Sequence, residues 1–240
     1  NDYKDLITND ERLNDEVIKG LKEISEKYGK DRQTKIININ KTKIRKARKK
    51  LEEAPNYPVT LFVTKEGYIK KFQGKPSIED QYVKPGDKII DTFETWNRAE
   101  LLVFSNSDKS CYRIQVSDIE ETTNRALGVF APSLCDAKDI IGYSVLDGKN
   151  KFIIIGYDNN KIAKIKLSSF ESNRRRLANS LSRSAEAIGI LTFSEEGTFI
   201  FKTTTTAFKI PTSKYDSKER HTQGVYGPRK GVLTEIRMAK

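Results

Sequence analysis

The side chains of this chain that could do chemistry are mainly cationic. A basic residue recurs just before the apolar end of four strand-turn-strand segments: Lys71, Arg113, Lys164 and Lys209. Cations repeated at a structural period suit phosphates, because each phosphate neutralised strengthens binding and steepens its salt dependence. Arg174, Arg175 and Arg176 add three adjacent guanidinium groups that can fork onto phosphate oxygens. Lys65, Lys70 and Lys166 flank the same segments. These ten residues are the candidate binding set. Other chemistries lack parts. His221 is the only histidine, which leaves no basis for a histidine triad or a multi-histidine metal site. Cys111 and Cys135 form no CxxC pair and read as reduced thiols. No convergent acid pair or Gly-rich nucleotide loop stands out, so no catalytic residue, metal ligand or cofactor is assigned.

Composition points the same way. A net charge of +11 over 240 residues implies an anionic partner, nucleic acid ahead of an acidic membrane surface. Apolar residues make up 36% and charged residues 32%, which fits a core under a large solvated surface. No run of 18 apolar residues marks a membrane span, and no charged-then-apolar start marks a signal peptide. The first residue is not Met, so the chain is expected to be a fragment of a longer one.

Two kinds of element must position these cations. Residues 9–28 predict a helix: Asn9 or Asp10 caps it, Gly29 stops it, and Leu13, Val17, Leu21, Ile24 and Tyr28 form one apolar stripe. Residues 30–40 look extended. Residues 41–50 hold seven Lys or Arg and no acid, which suits a solvated linker or a phosphate contact, and residues 51–54 suit a short helix ending at Pro55.

From residue 57 the texture is β. Leu61–Phe72 reads as a hairpin with Gly67 in its turn, and it recurs at shifts of 42, 51 and 45 residues; a further shift of 47 brings Ile141-Gly142 onto Ile188-Gly189. Leading strands are expected at Ile140–Leu146 and Ala187–Phe193. Repeats in the forties with three or four strands predict about four propeller-like blades, an all-β fold behind an N-terminal helix. Neighbouring strand residues point to opposite faces, so each repeated cation is expected to turn away from its apolar neighbour. Together they would ring the blades with exposed charge, suited to a bent duplex held by phosphates and deformability. The plain alternative is that Lys and Arg on exposed strand faces serve solubility. Tyr68 and Tyr157 are expected in packing, and Thr203–Thr206 in a polar turn.

These residues also carry a family resemblance. Glu11-Arg12-Leu13, Leu21-Lys22-Glu23-Ile24 and Lys27 through Ile36 resemble the segment closing the breakage-reunion core of bacterial type IIA topoisomerase A subunits, "EI…KYGDERRTEI". Val63 through Lys71 resembles the opening blade of that family's C-terminal domain, "TxxGYIKR", and Thr222-Gln223-Gly224-Val225 its later "TQGV". The resemblance implies a helical core tail at 1–36, a basic linker or short helix at 37–56, and a β-pinwheel at 57–240 that binds and bends duplex DNA. It implies a cytoplasmic, nucleoid-associated parent whose A subunits dimerise and pair with an ATPase B subunit. ATP and Mg2+ would be used outside this segment, which itself would be non-catalytic. The gyrase box "QRRGGxG" is replaced by Gln73-Gly74-Lys75-Pro76-Ser77-Ile78. That favours a topoisomerase IV-like subunit acting in relaxation and decatenation over a gyrase subunit that wraps DNA. A basic propeller used for protein interaction is the remaining alternative.

Overall fold

The computed structural model describes residues 8–30 and 54–239. The chain divides into two compact units, Asn1–Glu52 and Glu53–Lys240. In the first, helix α1 spans Asp10–Tyr28, one residue inside the expected start. Asn9 caps it, its side-chain oxygen accepting from the amides of Glu11 and Arg12 at 3.2 and 3.4 Å. The apolar stripe is there and is exposed, from 40% at Leu13 to 68% at Tyr28. The extended and basic stretches expected over residues 31–53 lie outside the described residues. Among the described residues no helix is long and apolar enough to cross a membrane, and no cluster of His, Cys, Asp or Glu could hold a metal ion.

The second unit is a four-blade β array. Hairpins form at β1 (Pro58–Thr64) with β2 (Tyr68–Gln73) and at β4 (Glu100–Ser105) with β5 (Ser110–Gln115). Two more form at β8 (Phe152–Tyr157) with β9 (Lys161–Lys166) and at β12 (Thr198–Thr203) with β13 (Ala207–Pro211). Each hairpin's first arm also pairs with a later strand: β3 (Ile89–Trp96), β7 (Ile140–Leu146), β11 (Ala187–Phe193) and β15 (Leu233–Met238). Strands β7 and β11 were expected to lead the blade that follows them. They complete the blade before them, because an antiparallel partner for β4 or β8 has to come from the chain returning past it. These four strands are innermost and line a cavity of about 410 Å³ that includes Phe93, Tyr143, Ile190 and Met238.

The return arms are completed from one blade further on. Short strands β6 (Val129–Phe130), β10 (Arg176–Leu177) and β14 (Val225–Tyr226) follow the hairpins of blades 2, 3 and 4, yet pair with β2, β5 and β9 of blades 1, 2 and 3. Among the described residues blade 4 has three strands, with β13 at its edge. Apolar packing follows the same stepwise logic. One core cluster joins blade 1 to blade 2 through Leu61, Ile69, Leu101 and Val103. A second joins blade 2 to blade 3 through Leu102, Phe104, Ile153 and Ile155, and a third joins blade 3 to blade 4 through Ile154, Ile162, Phe199 and Phe201.

The two end faces are finished differently. In blade 1 the β2–β3 connection at residues 74–88 folds over the face turned away from blade 2. There the Thr60 hydroxyl donates to the Gly74 carbonyl at 2.5 Å, and the Lys70 ammonium donates to the carbonyls of Tyr82 and Asn124 at 3.1 and 3.0 Å. In blade 4 the face turned away from blade 3 is polar. Ile200 pairs with Lys209 and Arg237, and Lys202 bonds to Glu235 at 3.5 Å.

One glycine controls a donated strand. Gly128, at φ +90°, turns the chain into β6, and a Cβ there would sit 2.3 Å from the Ile69 carbonyl oxygen. Gly128→Ala is expected to cost about 2–4 kcal/mol, from backbone strain plus a clash with main chain that cannot move aside. Gly74→Ala, at φ +77° with nothing within 4 Å of its Cβ, should cost no more than about 1 kcal/mol. Thermal unfolding of the two variants checks the contrast.

Candidate nucleic-acid interface

The repeated cations occupy one register in all four hairpins: Lys71 opposite Leu61, Arg113 opposite Leu102, Lys164 opposite Ile154 and Lys209 opposite Ile200. Each does turn away from its apolar sequence neighbour, as alternation requires. For Lys71, Arg113 and Lys164 the face turned to is the one on which the next blade packs. Lys71 is 2% exposed and Lys164 6%, so neither is part of a charged perimeter. Lys71 donates from Nζ to the carbonyls of Val116 and Ile119 at 2.9 and 3.0 Å, in the 3-10 turn (Val116–Asp118) that follows the blade 2 hairpin. Lys164 donates to the Thr212 carbonyl at 3.2 Å in the corresponding turn of blade 4 and pairs with Glu196 at 2.5 Å. Arg113 pairs with Glu100 and donates to the Arg174 carbonyl at 3.2 Å, a segment that follows the blade 3 hairpin. Burial pulls the Lys71 ammonium below its ordinary pKa, partly offset by the charges of Glu121 and Asp118. These residues are latches between successive blades.

The expected ring of exposed charge is therefore corrected at Lys71 and Lys164, which are buried, and at Arg113, whose side chain is 11% exposed and paired with Glu100. Lys70 is corrected too: it is fully buried beneath residues 74–88, and that burial lowers its pKa. Lys209 stands at the same register in blade 4 and is exposed. Lys65 is exposed at the β1–β2 turn, and Lys166 is exposed and 3.4 Å from Glu219.

Exposed charge collects instead on the chain that follows each hairpin and carries the donated strand. Residues 117–130 hold Asp118, Glu120, Glu121 and Arg125, a net of −2. Residues 168–183 hold Glu171 against Arg174, Arg175, Arg176 and Arg183, a net of +3. Residues 213–230 hold Asp216 and Glu219 against Lys214, Lys218, Arg220, Arg229 and Lys230, again +3. Strands β10 and β14 lie outermost in their sheets, so the last two stretches make a basic rim along blades 2 and 3. Blade 1, edged by the first stretch, is not part of it.

The rim's cations differ in how they are held. Arg176 is tied to Asp108 at 3.0 Å, and Arg175 reaches Asp118 only at 3.8 Å with its side chain 88% exposed. Burial pushes the Asp108 carboxyl up, but hydrogen bonds from Tyr112, Ser105 and Ser110 outweigh it and leave the pKa below the usual value. Arg174 and Arg175 border a cleft of about 530 Å³ whose lining includes Arg113, Glu100, Gln115 and Ser133. Surface ion pairs of this kind bind weakly, so these cations are available to an incoming anion.

Lys214, Lys218, Arg220, Arg229 and Lys230 were not singled out from the sequence. The signal that could have found them is a second internal match, Gly128-Val129-Phe130 with Gly224-Val225-Tyr226. Both glycines have positive φ, +90° and +76°, and both introduce a donated strand. His221, also at positive φ, is exposed and bonds through Nδ1 to the Asn179 carbonyl at 2.8 Å.

No protein-family model matches the sequence, and no curated protein does. Three solved structures resemble the fold. One is the C-terminal domain of DNA topoisomerase IV, at 18% identity and a TM-score of 0.59, with 89% of this chain and 69% of that one aligned. Another is the E. coli ParC C-terminal domain, at 11% identity and a TM-score of 0.57, covering 75% of this chain and 78% of that one. The DNA gyrase A C-terminal domain aligns at 15% identity and a TM-score of 0.48, over 75% of this chain and 64% of that one. The first two show that this chain has the fold of such C-terminal domains.

Proposed function

We propose that the four-blade unit binds and bends duplex DNA along its outer rim, as the C-terminal domain of a type IIA topoisomerase A subunit. The observation that carries this reading is the rim itself: two successive donated-strand stretches, each with a net charge of +3, at the outer edges of adjacent blades. The fold shared with the topoisomerase IV C-terminal domain supports it, as do the family-like segments at 21–36 and 63–71. The contacts would be to phosphates, which position a duplex without reading its bases. Within the family we favour a topoisomerase IV-like subunit. The place of the gyrase box is taken by Gln73 through Ile78, and residues 74–88 cover the face of blade 1. DNA cleavage, ATP and Mg2+ use, dimerisation and pairing with a B subunit would belong to other parts of the parent enzyme.

Salt titration tests the binding. For roughly six phosphate contacts, affinity for a random duplex should fall about a thousandfold between 50 and 200 mM salt, with little dependence on sequence. Fluorescence anisotropy reads this directly. Salt-independent binding, or none at low salt, would sink the proposal. Ligating nicked circles with the protein bound and measuring trapped writhe tests the subtype, since a wrapping gyrase domain would trap chiral turns.

A further inference from the structure

Tyr226, the last residue of β14, is 56% exposed and carries two cations on its ring. Lys161 Nζ lies 5.1 Å from the ring centroid and the Arg229 guanidinium carbon 4.9 Å from it, so the two charges are no more than about 10 Å apart. Lys161 is the residue paired with Tyr226 across the β9–β14 ladder. Arg229 follows two residues after Gly227, whose amide bonds back to the Asn160 carbonyl at 2.8 Å. Cross-strand pairing and a backbone-anchored turn therefore bring both cations to one aromatic ring.

Three neighbouring cations are held by a carboxylate: Arg176 by Asp108, Arg175 by Asp118 and Lys166 by Glu219. Lys161 and Arg229 have no carboxylate partner among the described residues. A ring orders a cation without neutralising it. Two like charges gathered at one ring also repel each other, and an anion seated between them removes that cost. We infer that Tyr226, Lys161 and Arg229 form a clamp for a phosphate oxyanion, in which Tyr226 is a positioning residue and the two cations make the contact. The clamp rests on the rim reading given above and makes the β14 edge of blade 3 its best-ordered phosphate contact.

The test compares Tyr226→Leu with Tyr226→Phe in the full 240-residue chain. Tyr226→Leu keeps bulk and removes the π face; it should weaken duplex binding about threefold to tenfold at 50 mM salt and flatten the salt slope by somewhat less than about 1. Tyr226→Phe keeps the face and should bind like the parent. Lys161→Gln and Arg229→Gln should each weaken binding similarly, and each should add little to Tyr226→Leu. Side-chain NMR of Lys161 and Arg229 during titration with inorganic phosphate gives a readout that does not need DNA. Saturable shifts in the parent that vanish in Tyr226→Leu sustain the clamp. Parent-like DNA binding by Tyr226→Leu, or an equal loss in Tyr226→Phe, overturns it. If the parent binds no duplex at low salt, the rim reading falls by itself, and the phosphate titration alone decides the clamp: saturation sustains it and its absence overturns it.

Discussion

Replacing Arg174, Arg175, Lys214 and Lys218 with glutamate will abolish duplex binding at moderate salt while leaving the fold intact. All four are exposed, and among the described residues only Arg175 has an ion pair, a long one at 3.8 Å. Their loss should therefore change stability little. If each neutralises one phosphate, removing four contacts lowers the salt slope by about 3.6, which at 100 mM corresponds to a loss on the order of a thousandfold. Anisotropy at several salt concentrations measures slope and affinity together, and circular dichroism checks the fold. An affinity within threefold of the parent would move the DNA site elsewhere or leave a propeller that serves protein contacts. Stopping at Arg174 and Arg175 should produce about half of the change in slope.

Lys71→Met should produce the opposite pattern, a large loss of stability with DNA affinity unchanged. The substitution keeps the aliphatic stem and strands two buried carbonyls, those of Val116 and Ile119, that the ammonium now serves. At about 1–3 kcal/mol per unsatisfied group, part of which is recovered by no longer burying a charge, the net cost is about 2–4 kcal/mol. For a chain of this size that lowers Tm by roughly 5–15 °C. Lys209→Met removes the residue at the same register of blade 4, where it is exposed, and should stay within about 0.5 kcal/mol. A Lys71→Met protein that melts like the parent but binds DNA poorly would restore Lys71 to the phosphate-binding set.

What the sequence made legible was local. The hairpin at Leu61–Phe72 and its three copies could be read because alternation and turn residues act over a dozen positions. Tyr157, fully buried, and the Thr203–Thr206 turn follow from the same short-range signals. The direction in which β7 and β11 pair could not be read, since either neighbouring hairpin offers an apolar partner. Strands of two residues, such as β10 and β14, are too short to show any period. The cations were misjudged for a related reason. Alternation gives the face of a strand on which Lys71 sits, but whether water or another blade covers that face depends on chain 45 residues away. Charge repeated at a structural period had two physical explanations, a surface ring or a repeated joint, and distance in sequence hid the second.

The donated strands also set a timetable for making the protein. Tyr68 cannot meet its edge partner until Phe130 has been synthesised, Tyr112 must wait for Arg176, and Lys161 for Tyr226. Each interval is a little over sixty residues, about three to thirteen seconds at ordinary elongation rates of 5–20 residues per second. For that time the newest hairpin on the ribosome has an open edge, the kind of surface that recruits other nascent chains. Each blade is completed only as the next one emerges, so a ribosome that stalls between hairpins leaves an unfinished sheet at its exit port, however much of the array behind it has already closed.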